Sequence, residues 1–135
     1  MIVVDSTVWI DYFNGVVTWQ TDRLDQLLQA DEVLMGDLIF TEVLQGFRDD
    51  GDFAAARSAL EKLPMEDMVG PGIALASAQN YRQLRKLGVT VRKTIDVIIA
   101  TFCIENDYEL LHNDRDFEPL VTHCNLRKSN PTPKP

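Results

Sequence analysis

The first seven residues constrain the fold more than any other stretch of the sequence. Residues 2–4 form an unbroken Ile-Val-Val run, and the polar residues Asp5, Ser6 and Thr7 close it. A short run rich in β-branched residues is typical of a strand that is buried on both faces, and such strands belong to parallel sheets that helices cover. Ligands of these sheets bind beyond the carboxyl ends of the strands, so Asp5 lies where a ligand-binding carboxylate is expected. An aspartate here can also be only a turn or helix-cap residue, and this stretch alone leaves both interpretations open.

Short apolar runs of this kind alternate with helical patterns along the whole chain. Helices are predicted after the first strand, from residue 21, and over residues 38–47, 53–63, 73–87 and 94–105. Strands are predicted over residues 2–4, 33–36 and 109–112, with two further short ones at 65–69 and 122–126. The alternation predicts an α/β fold with a central parallel β-sheet flanked by α-helices on both faces.

The length of 135 residues suits one compact domain. We expect a single domain over residues 1–128 and a loose, Pro-rich tail over residues 129–135. No run approaches the length of a membrane span, and no secretory leader is visible. Cys103 and Cys124 are too few for a disulfide framework and too far apart for a zinc knuckle. These features predict a cytoplasmic protein that does not cross a membrane.

The net charge of −8 argues against strong non-specific binding to nucleic acid, because phosphates require a basic surface. It does not exclude a nucleic-acid enzyme whose acidic residues surround metal ions. One segment of the chain is basic, and its side chains are our candidates for contacts with phosphates. They are Arg82, Arg85, Lys86, Arg92 and Lys93. The same charges also suit the C-terminus of a helix for purely structural reasons, and both roles can hold together.

Four acidic residues stand out by their positions. Asp5 and Asp114 each follow a predicted buried strand, and Asp96 opens the most apolar helix of the chain. Glu42 lies in an otherwise apolar helical pattern, where a buried carboxylate would need a partner. Glu42 can equally lie on the solvent side of that helix, so by itself it is weak evidence for a site.

A convergence of these four carboxylates would require a cation. Two carboxylates about 4 Å apart repel each other by about 4 kcal/mol at an effective dielectric constant near 20. Oxygen ligands without cysteine or histidine select Mg²⁺ or Mn²⁺ over zinc. Such a site can orient a water molecule, lower its pKa and neutralise the charge of a phosphate. The chemistry implied is metal-assisted hydrolysis of a phosphodiester, provided that the tertiary structure brings the four residues together.

Four segments of the chain resemble the four motifs of PIN-domain ribonucleases, and in particular the VapC-type toxins of bacterial toxin–antitoxin modules. The segments are residues 2–11, 41–46, 94–100 and 110–117, and they occur in the order of the family motifs. Each motif is weak alone, but the four together cover almost the whole chain.

The resemblance implies a role for individual residues. Asp5, Glu42, Asp96 and Asp114 match the catalytic acidic quartet, with Asp5, Asp96 and Asp114 as ligands of Mg²⁺ or Mn²⁺. Two further positions match residues that support the site, namely Thr7 and Asp116. His112 departs from the family, which commonly has Ser or Thr there. It is expected to have a structural role, with a proton carrier as the alternative.

The resemblance also implies partners. An RNA substrate, a homodimer and a cognate VapB-like antitoxin are expected, with a segment of the antitoxin in the RNA groove. An apolar face of that segment would need apolar residues on this chain to receive it, in a helix-in-groove mode. The candidates are Trp9, Phe13, Phe40 and Phe47, although most of them are expected to belong to the core.

Two other classes of function compete with the nuclease. A catalytically inactive PIN-like module that binds RNA or protein would share the fold, but retention of all four acids argues against it. A phosphatase with Asp5 as its nucleophile would resemble the haloacid dehalogenases, which need a second acid two residues later, where Thr7 stands. No Walker or dinucleotide-binding glycine pattern occurs in the sequence.

Overall fold

A computed structural model of the chain describes residues 1–131. In this part of the chain four parallel strands form one sheet in the order β3-β2-β1-β4. The strands are β1 (Ile2–Val4), β2 (Val33–Gly36), β3 (Met65–Glu66) and β4 (Glu109–Leu111). The α/β class and the parallel sheet predicted from the sequence are confirmed.

Helices connect the strands and cover the sheet. They are α1 (Ser6–Phe13), α2 (Trp19–Gln29), α3 (Asp37–Leu44), α4 (Asp50–Glu61), α5 (Gly70–Lys86), α6 (Thr94–Glu105) and α7 (Glu118–Cys124), with one turn of 3₁₀ helix at Arg115–Phe117. No helix of residues 1–131 is long and apolar enough to cross a membrane.

The strand register brings the ends of β1 and β4 side by side. Val4 is paired with Leu111, and the backbone N–H of Asp5 donates to the carbonyl oxygen of Leu111 at 2.9 Å. All three residues of β1 are buried, as expected of a strand with helices on both faces. Because the two strands end together, the segments that follow them begin at the same edge of the sheet.

Helix α6 is the most buried helix of the fold. Seven of its side chains are buried, among them Ile99, Phe102 and Cys103. The helix packs against α5, α7 and β4. A helix that is apolar on nearly every side is stable only in such surroundings. Its first turn therefore carries Asp96 into the interior of the molecule.

The predicted strand at residues 122–126 is wrong. Residues 118–124 form helix α7, because Leu120 and Cys124 are one helical turn apart and both face the core. Asn125 ends the helix in the left-handed conformation, with φ of 64°. The chain then runs beside β4, where Lys128 forms a parallel bridge with Leu110.

The structure bears on two further expectations, namely where helix α4 begins and how the C-terminal tail lies. The helix predicted from residue 53 begins at Asp50, because the carboxylate of Asp49 accepts a hydrogen bond from the backbone N–H of Asp52 at 2.8 Å and caps it. Within the predicted tail, Ser129 is buried and its N–H donates to the carbonyl oxygen of Leu110 at 2.9 Å. Residues 132–135 of that tail lie outside the described residues.

Candidate active site

The tertiary structure brings the four predicted acids together at the carboxyl edge of the sheet. Asp5 follows β1, Asp114 follows β4, Asp96 lies in the first turn of α6, and Glu42 lies in α3. The negative charges of the other three all raise the pKa of Asp96. Segments that are more than 100 residues apart in sequence thus share one electrostatic environment.

Asp5 is almost completely buried, with 2% of its surface exposed. One carboxylate oxygen, Oδ2, accepts hydrogen bonds from the hydroxyl of Thr7 at 2.7 Å and from its backbone N–H at 3.3 Å. Burial raises the pKa of Asp5, and the bonds from Thr7 offset part of this rise. Asp5 therefore caps α1 and also lies close enough to Asp96 for its charge to raise the pKa of that residue.

Asp96 has a strongly raised pKa. Burial is the main cause and the charge of Asp5 the next, and together they raise the pKa of Asp96 from 3.8 to about 7. The positive charge of Lys93 opposes them. The Oδ2 atom of Asp96 is buried and has no hydrogen-bond partner within residues 1–131. A buried carboxylate oxygen without a donor is costly unless a proton or a cation reaches it.

Glu42 does not lie on the solvent side of α3. Its Oε1 atom is buried and has no hydrogen-bond partner in the described part of the chain. Burial raises the pKa of Glu42, and the charge of Asp5 raises it further. The Ser6 hydroxyl and the charge of Lys93 lower it in part. Ser6 was not singled out in the sequence, where nothing distinguishes it from any other residue near a helix cap.

Asp114 and Asp116 form the turn that closes the site. The Oδ1 atom of Asp114 accepts a hydrogen bond from the backbone N–H of Asp116 at 2.9 Å. One ligand atom each from Asp96, Asp114 and Asp116 lies within 4.8 Å of the other two. The three carboxylates that lie close enough to share one cation therefore include Asp116, which the motif match predicted as a supporting residue. They do not include Asp5.

The cluster suits a hard divalent cation. All three donors are carboxylate oxygens, which hard cations such as Mg²⁺ and Mn²⁺ prefer to nitrogen or sulfur. The buried, unpartnered Oδ2 of Asp96 supplies a ligand atom that nothing else in residues 1–131 satisfies. These residues therefore fit the type of metal that the acidic pattern predicted.

His112 ties the loop after β4 to the site. Its Nδ1 atom accepts a hydrogen bond from the backbone N–H of Asp114 at 3.2 Å, and its ring packs on Phe117 with ring centroids 5.0 Å apart. Burial lowers the pKa of His112, which favours the neutral ring, and the hydrogen bond accepted by Nδ1 assigns the ring proton to Nε2. Nε2 is 3.6 Å from Oε1 of Glu118. These contacts support the expected structural role, since the ring positions the backbone of Asp114.

The five basic candidates fall into two groups. Lys93 is exposed at the start of α6, and its charge acts on both Asp96 and Glu42. Arg92 is its exposed neighbour. Arg82 and Arg85 line a separate cavity of about 330 Å³ between α5 and α6, and the guanidinium of Arg85 lies 5.8 Å from the ring centre of Tyr81. Lys86 is exposed in the last turn of α5.

The four aromatic candidates for an apolar docking surface lie in different parts of the fold. Trp9 is buried in the core, which removes it from the surface. Phe13 and Phe47 pack edge to face, with ring centroids 5.6 Å apart, and line a small cleft of about 100 Å³ between α1 and α3. Phe40 is partly buried against the core.

Comparison with known proteins gives consistent matches over nearly the whole chain. Ribonuclease VapC11 of Mycobacterium tuberculosis and a VapC ribonuclease of Mycobacterium bovis are each 28% identical to it over 132 residues, which is 96% of this chain and 98% of each relative. Among solved structures, VapBC2 from Rickettsia felis bound to a promoter DNA fragment has a TM-score of 0.76 at 16% identity, covering 96% of this chain and 98% of that one. FitAcB from Neisseria gonorrhoeae has a TM-score of 0.75 at 17% identity, covering 97% and 98%.

The model of the PIN domain family matches residues 2–120, a span that contains all four acids of the predicted quartet. With the fold, the convergent carboxylates and the relatives in agreement, this chain belongs to the PIN domain family.

Proposed function

We propose that this chain is a divalent-metal-dependent endoribonuclease and acts as a VapC-like toxin. The observation that carries the proposal is the cluster of Asp96, Asp114 and Asp116, whose ligand atoms lie within 4.8 Å of one another at the carboxyl edge of a parallel sheet. Family membership and the ribonuclease names of the relatives support the choice of RNA as substrate.

In this proposal Asp96, Asp114 and Asp116 hold Mg²⁺ or Mn²⁺, and Asp5 is a further carboxylate beside them. A bound divalent cation would lower the pKa of a nearby water molecule and neutralise negative charge on the phosphate. Residues of the chain itself orient the carboxylates around the ion. Thr7 holds the carboxylate of Asp5 in one orientation through its two hydrogen bonds.

Glu42 is the proposed proton acceptor. The pKa of Glu42 is raised towards cellular pH, and a general base is most effective when its pKa lies near the pH at which it works. Water attacks the phosphorus atom, its proton passes to the carboxylate of Glu42, and one P–O ester bond breaks. The departing ribose oxygen then takes up a proton from solvent water. The basic side chains named above are proposed to hold flanking phosphates. Among them, Lys93 is the one whose charge acts on Asp96 and Glu42.

We also propose a homodimer and a VapB-like antitoxin as partners. Several solved structures similar to this chain are of toxin–antitoxin complexes, including one from Klebsiella pneumoniae with a TM-score of 0.71. An anionic site with unpartnered carboxylate oxygens suits a cationic side chain of such a partner. Occupation of the site by that side chain would block RNA and metal at once.

The experiment that tests the function is cleavage of total RNA by the purified chain, freed from any partner. It is run with Mg²⁺ or Mn²⁺, with EDTA, and with the variants Asp5→Asn and Asp31→Asn. Asp31 is a matched control, because it is exposed, precedes β2 at the opposite edge of the sheet, and has a φ of 54° that asparagine tolerates.

Discrete fragments that require metal and Asp5, but not Asp31, are expected. Calorimetric titration with Mn²⁺ is run in parallel. If the chain neither cleaves RNA nor binds Mn²⁺, the nuclease proposal is overturned in favour of a catalytically inactive PIN-like binding module. Cleavage that persists in EDTA or in Asp5→Asn would overturn the metal-dependent mechanism.

A further inference from the structure

A cavity of about 530 Å³ opens beside the acidic cluster, and the roles assigned so far do not use it. Asp114 belongs to both, so the cavity begins where the proposed metal site ends. Its other walls come from the start of α2, from the turn after β4 and from residues 128–131. This volume is in the range of cavities that bind small organic groups.

An indole ring forms one wall of this cavity. Trp19 is the first residue of α2 and is 37% exposed, whereas Trp9 is 2% exposed in the core. Trp19 has no aromatic ring contact within residues 1–131, while Trp9 contacts both Tyr12 and Phe13. An accessible indole at the mouth of a cavity is a platform on which a nucleobase can stack.

The interior of the cavity offers hydrogen-bonding groups without partners. Gln20 is 8% exposed, and its side-chain amide has no hydrogen bond to another residue of the described chain. The hydroxyl of Ser129 is buried and also lacks a partner there. A carboxamide has a donor and an acceptor on the same edge, which matches the edge of a nucleobase.

The two cations of the cavity differ in their availability. The ammonium group of Lys128 is paired with both carboxylate oxygens of Glu118, at 3.0 and 3.1 Å. Arg115 is exposed and has no ion pair within residues 1–131. Since Arg115 follows Asp114 directly in the chain, its free guanidinium lies next to the acidic cluster and can bind a phosphate there.

We propose that this cavity is a nucleotide subsite of the RNA groove. The nucleotide beside the cleaved bond stacks its base on Trp19, presents its polar edge to Gln20 and Ser129, and places a phosphate against Arg115. The inference rests on the proposed nuclease function and adds to it a specificity-determining site.

Tryptophan fluorescence tests the stacking directly. The purified chain is titrated with single-stranded RNA hexamers of A, C or U, once in EDTA and once in Ca²⁺, a hard cation that neutralises the acidic site so that RNA can approach. Stacking is expected to quench the emission of Trp19 saturably, while buried Trp9 contributes a constant background. Binding of dye-labelled hexamers is measured by anisotropy for the variants Trp19→Ala and Trp19→Phe, with Leu75→Ala as control because Leu75 is another exposed apolar side chain, on α5.

The expected result is an affinity at least fivefold weaker in Trp19→Ala, because loss of base stacking has effects of this order. Trp19→Phe is expected to restore most of the affinity, and Leu75→Ala to leave it unchanged. Arg115→Gln is expected to reduce the slope of log K against log salt by roughly 0.7, the value for one phosphate contact with a single strand. Unfolding temperatures confirm that all variants remain folded.

Absence of quenching, or equal affinity of Trp19→Ala and the parent chain, would overturn the proposal and leave the cavity to a segment of a partner protein. The two proposals fail in distinguishable ways. If the chain cleaves RNA but Trp19→Ala keeps its KM and its cleavage positions, the subsite is wrong and the nuclease stands. If RNA quenches Trp19 but no cleavage occurs with metal bound, the subsite stands and the nuclease is wrong.

Discussion

At the scale of single residues, Asp96 combines burial and charge repulsion in one carboxyl group. It is 5% exposed, and the charge of Asp5 adds to the effect of burial in raising its pKa to about 7. Without a cation the group is therefore only partly ionised at pH 7. Burial also raises the pKa of Asp5 and of Glu42. The site stores unfavourable free energy that a divalent cation would release.

We predict that the metal-free chain loses stability as pH rises from about 4 to 7. In this range the unfolded chain has released the proton of Asp96 while the folded chain still binds it, so the free energy of unfolding falls with pH. Thermal unfolding in EDTA is expected to show a Tm lower by roughly 5 °C or more at pH 8 than at pH 5. Asp96→Asn is expected to reduce this difference, and millimolar Mg²⁺ to offset it by binding the folded state.

Asp31→Asn serves as the control for this measurement, because Asp31 is exposed and lies away from the acidic group. Coincident pH profiles for the parent chain and Asp96→Asn would show that burial of this carboxyl does not govern the pH dependence.

We predict that Thr7→Val weakens both metal binding and catalysis by about 10-fold or more, an effect typical of residues that orient a metal ligand. Valine has nearly the same shape but removes the hydroxyl that donates to Asp5 at 2.7 Å. The affinity for Mn²⁺ is measured by calorimetry and the cleavage rate under single-turnover conditions. Thr7→Ser retains the donor and is expected to recover most of both values; failure of this rescue would assign the loss to packing.

At the scale of elements, the junction of β2 and α3 depends on close packing with the segment after β3. A Cβ atom at Gly36 would lie 2.2 Å from Sδ of Met68, which is fully buried. The carboxylate of Asp37 accepts a hydrogen bond from the backbone N–H of Met68 at 3.0 Å and holds that segment in place. A side chain at position 36 would force the Met68 side chain to change its conformation inside a filled core.

We predict that Gly36→Ala lowers the free energy of unfolding by about 1–3 kcal/mol, the usual cost of overpacking a filled core. Gly72→Ala is the matched control. It lies in α5 with open space around its Cβ position, so it is expected to be neutral or slightly stabilising. Urea unfolding measures both, and Gly36→Ala combined with Met68→Ala shows whether the clash is the cause. Equal stability of Gly36→Ala and the parent would contradict the packing argument.

At the scale of the whole molecule, a net charge of −8 leaves RNA binding to local features. In the described part of the chain these include the exposed Arg92 and Lys93 before α6, the free guanidinium of Arg115 and the accessible indole of Trp19. The acidic site itself repels RNA until a cation occupies it. Metal binding and RNA binding are therefore expected to favour each other.

We predict that expression of the chain alone in bacteria arrests growth, because cleaved RNA stops protein synthesis. Asp5→Asn is expected to relieve the arrest at equal expression, and Asp31→Asn is not. Growth curves and immunoblots measure both. Arrest that persists in Asp5→Asn would separate toxicity from metal-dependent cleavage.

Local sequence patterns predicted the elements that depend on local physics. The Ile-Val-Val run predicted β1, and the apolar pattern of residues 94–105 predicted the buried helix α6, whose bounds the structure reproduces. The prediction failed at residues 122–126, because five residues of mixed polarity do not distinguish a strand from the end of a helix. There the contacts of Leu120 and Cys124 with the core select the helix.

The sequence by itself also determined which acids belong together, since their motif order matches that of the family. Only the tertiary structure decided which of them share a cation-sized cluster, because that depends on side-chain positions a few ångströms apart. It brought Asp116 beside Asp96 and Asp114, while Thr7 holds one oxygen of Asp5 in a hydrogen bond. It likewise opened the cavity at Trp19, whose walls come from segments about 100 residues apart that no local pattern connects.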